Sequence, residues 1–144
     1  MKQGFVKVAA ASCAVAVADV RENTRVILET IHKMEDEGAK VMVLPELALT
    51  GYTCSDLFWQ NQMIDAAKEG LKEIADGTKG TDALIFVGLP WEQGGKLFNV
   101  AAVLCHGELL GVVPKKYLPN YNEFYELRHF TPGKEAVTTT EFFG

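Results

Sequence analysis

The opening of the chain alternates in a way that leaves few folds open. Phe5 to Val15 is rich in Val and Ala and carries one charge, Lys7, so it reads as a central, buried strand. Val20 to Glu37 then places Val20, Ile27, Leu28, Ile31 and Met34 at helical spacing with charges between them. Asp19 stands where a helix N-cap belongs and Gly38 where a C-cap belongs. Lys40 to Leu44 is again rich in β-formers. Strand, helix, strand in that order predicts a parallel pair joined by a right-handed crossover, hence an α/β fold. In such sheets ligands gather at the carboxyl ends of the strands.

Two stretches put charge at such ends. Leu44-Pro45-Glu46-Leu47 closes the second strand with a carboxylate, and Val113-Pro114-Lys115-Lys116 closes a later one with an ammonium. A charge set just past a buried strand is costly unless it meets a partner. Glu46 and Lys115 are therefore expected to converge at one site, at the ends of neighbouring strands. Taken singly, a Glu after Pro is usually a solvated loop residue, and Lys116 reads as a surface lysine.

Between these stretches, residues 47–55 form a loop with Thr50-Gly51-Tyr52, and Asp56 to Gln60 a short helical turn. Met63, Ile64, Ala67, Leu71, Ile74 and Ala75 mark a second amphipathic helix ending near Gly77. Leu84 to Gly88 is a third strand closed by Pro90-Trp91, with a turn at Gln93-Gly94-Gly95-Lys96. Leu97 to Cys105 and Glu108 to Val113 flank His106-Gly107, a tight-hairpin signal. From Tyr117 on, Tyr121, Phe124, Tyr125 and Phe130 alternate with Asn122, Glu123, Glu126 and Arg128, a polar, aromatic loop suited to wall a pocket. Val137 to Phe143 is expected to begin another strand.

Composition narrows the function. With 144 residues and 48% apolar content the chain has the makings of one domain with a real core. A net charge of −5 argues against nucleic acid or an anionic membrane as partner. The N-terminal apolar stretch is too short, and broken by Lys7, to be a signal or a membrane span. Cys13, Cys54 and Cys105 are unpaired in spacing, which points to a reducing, cytoplasmic setting and to no metal site. Cys54, in the loop near Glu46, is the best local candidate for a nucleophile. Nothing near it in sequence offers an activating base.

Taken together, Leu44-Pro45-Glu46-Leu47 with Thr50-Gly51-Tyr52, and Gly111-Val112-Val113-Pro114-Lys115 after a hairpin, resemble the nitrilase, or carbon–nitrogen hydrolase, superfamily. Pro114 to Glu126 and Tyr52 to Trp59 are similar to the N-terminal glutaminase domain of bacterial glutamine-dependent NAD synthetases. The resemblance implies the N-terminal part of a four-layer α-β-β-α sandwich. It implies Glu46 as general base, Lys115 as oxyanion stabiliser, and a thiolate that attacks the amide carbon of glutamine. It implies support of lysine and substrate by Glu123 and a glutamine pocket lined by Tyr121 and Tyr52. The family's nucleophilic cysteine lies well beyond the lysine, and none of the three cysteines here takes that position. Residues 1–144 are accordingly expected to be the N-terminal portion of a glutaminase domain, with no cofactor of its own. ATP and deamido-NAD would be used by a synthetase domain of the same parent chain. Half a sandwich would leave apolar strand faces for the missing half or partner chains, favouring a homo-oligomer. A stand-alone amidase on a small amide and a non-catalytic module are the alternatives.

Overall fold

A computed structural model describes residues 4–142. Among these residues five strands form one mixed sheet in the order β1-β2-β3-β4-β5. They are β1 (Val8–Ala10), β2 (Val41–Val43), β3 (Leu84–Gln93), β4 (Lys96–Cys105) and β5 (Glu108–Pro114). Helices α1 (Val20–Asp36) and α2 (Asn61–Gly77) complete the framework, with short 3-10 turns at Ser55–Trp59 and Glu126–Arg128. β1, β2 and β3 pair in parallel, and β3, β4 and β5 are antiparallel neighbours. Consequently β2, β3 and β5 run the same way, and Pro45 and Lys115 leave the sheet at the same edge.

The strand register sorts the apolar residues into two faces. Ala9, Met42, Ile85 and Leu104 stand in one row across the sheet, and Val87, Leu89 and Ala102 continue that face. They pack against Ile27 and Ile31 of α1 and Leu71 and Ile74 of α2 in a single core. Each of these isoleucines is essentially fully buried, worth about 2 kcal/mol apiece in hydrophobic transfer. Asp19 caps α1 as expected, its side chain accepting from the Glu22 N–H at 3.0 Å. The opposite face carries Val8, Val43, Leu84 and Val113, all exposed, and no helix among the described residues covers it.

Three expectations are corrected. The first strand is short and lies at the sheet edge, with Val8 67% exposed, instead of running buried through the centre from Phe5 to Val15. Beyond Ala11, whose N–H reaches Val43, the chain has no strand partner. The third strand does not stop at Pro90 but continues to Gln93. β2 pairs only as far as Phe86, so at Pro90 one side of β3 is free of strands and the missing N–H costs no ladder bond. Val137 to Phe142 forms no strand, Val137 being fully exposed, and Phe143 lies outside the described residues. The hairpin holds: His106 and Gly107 both adopt positive φ, the conformation of a two-residue turn matched to strand twist. No helix among the described residues is long and apolar enough to cross a membrane.

Candidate active site

Glu46 and Lys115 leave strands that are not neighbours, since β3 and β4 lie between them. The gap is closed by the loop after β2, which crosses over β3 at Gly88. A Cβ at position 88 would lie 2.5 Å from Leu47 N and 2.9 Å from Glu46 C, and nearer still to Pro45 O. Only glycine lets this backbone pass so close. Leu47, fully buried, turns the chain with a φ of 51°, and its carbonyl accepts from Thr50 and Gly51. This left-handed residue, strained for a leucine, sits directly after the carboxylate.

The crossing delivers Glu46 to the face left open by the helices. Lys115 Nζ donates to Glu46 Oε1 at 2.7 Å across 69 positions of sequence. The same oxygen accepts from Asn99 Nδ2 on β4. Glu46 Oε2 makes no hydrogen bond among the described residues. Asn99 is only 3% exposed, and its own carbonyl takes the Lys115 N–H at 2.8 Å, so β4 aligns both partners. A cleft lined by Val43, Phe86, Gly88, Ala101 and Val113 runs beside the pair.

A second carboxylate holds Lys115, but it is not the expected one. Glu126 Oε1 accepts from Lys115 Nζ at 2.9 Å and from Tyr52 Oη at 2.8 Å. Glu126 is 4% exposed, and its Oε2 is buried with no hydrogen-bond partner among the described residues. Glu123, assigned this position on the resemblance, is exposed and makes no ion pair with Lys115. The loop lacks a periodic pattern, so nothing in the sequence says which of two glutamates three residues apart turns inward. Tyr121 is also exposed, its ring edge-on to Phe124, whose ring in turn meets that of Tyr52. Tyr52 thus joins the cluster directly and Tyr121 only through Phe124. Asn99 was not anticipated, although a lone amide inside the apolar run Phe98 to Ala102 needs a buried partner. Cys54 lies 2% exposed with its thiol donating to the Thr50 carbonyl at 3.0 Å, and burial pushes that thiol up, which suits a packed residue better than a nucleophile.

Burial works to lower the Lys115 ammonium, but Glu46 and Glu126 together outweigh it and hold it above the ordinary lysine value. Burial, then the bond to Glu126, raises the Tyr52 phenol well above its ordinary range. Both groups keep their protons in the fold when the unfolded chain, titrating near 10.0 and 10.5, has begun to lose them. Their contribution to stability is complete below those values and is lost as pH rises through the folded ones. Urea unfolding followed from neutral to alkaline pH should therefore show stability falling above about pH 10, more gently in Tyr52→Phe. An unchanged alkaline slope in that variant would contradict the assignment.

The chain that carries this cluster has known counterparts. The carbon–nitrogen hydrolase family model matches residues 7–143. The chain is 36% identical over 132 residues to the glutamine-dependent NAD(+) synthetase of Mycobacterium tuberculosis (strain CDC 1551 / Oshkosh), covering 92% of this chain and 19% of that protein. It is 36% identical over 121 residues to the corresponding protein of Aquifex aeolicus, covering 84% of this chain and 21% of that one. The crystal structure of a glutamine-dependent NAD(+) synthetase from Cytophaga hutchinsonii superposes with a TM-score of 0.88 at 31% identity, over 94% of this chain and 23% of that chain. The chain thus spans about a fifth of the length of the relatives it matches. The sheet with helices on one face is the N-terminal part of their nitrilase-like α-β-β-α sandwich. By sequence and by fold, the chain belongs to the carbon–nitrogen hydrolase family.

Proposed function

We propose that this chain supplies the base and the oxyanion-stabilising cation of a glutaminase site, within a longer protein that makes NAD from deamido-NAD. The observation that carries the reading is the Glu46–Lys115 contact on the open face, with Glu126 behind the lysine. Glu46 is half-exposed and bonded through one oxygen only, which leaves the other free to take a proton from a thiol and later from water. Lys115, kept charged by two carboxylates, stabilises the oxyanion of the tetrahedral intermediate. Glu126, buried behind the lysine, acts on the site through Lys115 by holding its ammonium in place. The thiol itself comes from residues beyond this segment, in keeping with the share of the relatives it spans. ATP and deamido-NAD belong to a synthetase domain of that protein, and no cofactor to this segment. The setting is cytoplasmic, and the exposed apolar face is covered by the remainder of the domain or by further copies of the chain.

Glu46→Gln in the full-length protein tests this. Glutamine-driven NAD formation should fall roughly a hundredfold, the lower range for loss of a general base. Ammonia-driven formation should persist. Equal loss of both activities would mean that Glu46 serves folding or the synthetase site.

A further inference from the structure

We propose that Asp56 is a positioning residue that holds Glu126 on Lys115, acting through Arg128; this rests on reading Lys115 as the cation of the site. Asp56 Oδ1 accepts from Arg128 Nε and Oδ2 from Nη2, each at 3.0 Å, a two-pronged pair that fixes direction as well as distance. His129 Nε2 lies 3.3 Å from the same carboxylate. Arg128, then His129, hold the Asp56 carboxyl below its ordinary value. Asp56 stands four residues after Tyr52, and Arg128 two residues after Glu126. The segment carrying Tyr52 and the turn carrying Glu126 are therefore tied twice, once by the ion pair and once by the Tyr52–Glu126 bond. A Phe58–Phe130 ring contact at 4.9 Å packs beneath them.

The tie matters because the loop between Lys115 and Glu126 holds itself weakly. Its internal backbone bonds are Phe124 N to Tyr121 O and Glu126 N to Pro119 O, at 2.9 and 3.2 Å. The Glu126 side chain has Tyr52 and Lys115 as its hydrogen-bonding partners and a second oxygen with none. A small rotation of the turn would separate a buried carboxylate from both. Asp56 and Arg128 are themselves largely exposed, so their pairing adds little stability. What it adds is orientation. The Glu46–Asn99 side of the cluster hangs on strands and does not depend on this clamp, so it serves as an internal reference.

The test uses the isotopically labelled chain and NMR of exchangeable side-chain protons. Asp56→Asn, and Arg128→Lys with its single-pronged ammonium, should each speed exchange of the Lys115 ammonium and the Tyr52 hydroxyl roughly fivefold. Asp56→Glu, which keeps the charge, should restore most of the protection. The Asn99 amide signals and the urea midpoint should stay near those of the parent. Unchanged exchange in Asp56→Asn overturns the proposal. So does a uniform change at Lys115, Tyr52 and Asn99 together with loss of stability, or failure of both variants to fold, since that marks an ordinary structural tie. No readout involves turnover, so a failed glutaminase assay and a failed exchange experiment reject different readings.

Discussion

Gly88→Ala should lower the stability of this chain by about 3 kcal/mol, at the upper end for overpacking. In the longer protein it should cut glutamine-driven activity by roughly a hundredfold or more, as expected when a catalytic group moves by an ångström. The reason is local. The new methyl would meet Pro45 O, Leu47 N at 2.5 Å and Glu46 C at 2.9 Å, all backbone atoms that cannot rotate away. The loop must lift off β3, and Glu46 moves with it. Lifting the loop would also stretch the Leu49 N–H bond to the Gly88 carbonyl, now 3.2 Å long. Urea unfolding gives the first quantity, and the side-chain amide shift of Asn99 reports whether Glu46 has left it. A variant of parental stability with the Asn99 signals in place would show that the crossing is looser than the geometry implies.

Lys115→Met should cost about 3 kcal/mol at neutral pH, the low end for removing one partner of a buried pair, since the lysine keeps 30% of its side chain exposed. The cost falls chiefly on Glu126, whose carboxylate would remain buried with Tyr52 as its hydrogen-bond donor. Glu46, more exposed, can turn to water. The double variant Lys115→Met/Glu126→Gln should therefore recover most of the loss, whereas Lys115→Met/Glu46→Gln should recover little. A double-mutant cycle separates the two couplings. Equal recovery from both would show that Lys115 is shared evenly, contrary to the burial of its two partners.

Much of this was legible from the chain itself because it depends on local order. The α1 stripe, its Asp19 cap, the His106-Gly107 turn and the strand-Pro-charge stretches are short-range patterns, and each predicts an element that is present. Convergence of Glu46 and Lys115 was legible from two charges set at the ends of strands that run the same way, but the loop crossing at Gly88 that closes the gap was not. What sequence did not reveal depends on long-range geometry. The parity of β4 that turns Asn99 toward Glu46 is set by pairing with Pro90. The choice of Glu126 over Glu123 is set by a phenol 74 positions away. The edge position of β1 is set by which strands β2 accepts as neighbours. Composition misled there: an apolar run reads as central whether it is covered by helices or by a layer not among these residues.

The site's long ties span 69 to 74 residues, whereas the helices and the β3-β4-β5 meander close over short stretches of chain. Closing long loops is entropically uphill until the sheet that positions their ends exists. The charged cluster therefore assembles after the folding nucleus, and its members should have low φ-values. Substitutions at Lys115, Glu126 or Tyr52 would then speed unfolding while leaving the refolding limb of the chevron nearly untouched. Local opening of the cluster, with the sheet intact, should therefore cost less than global unfolding.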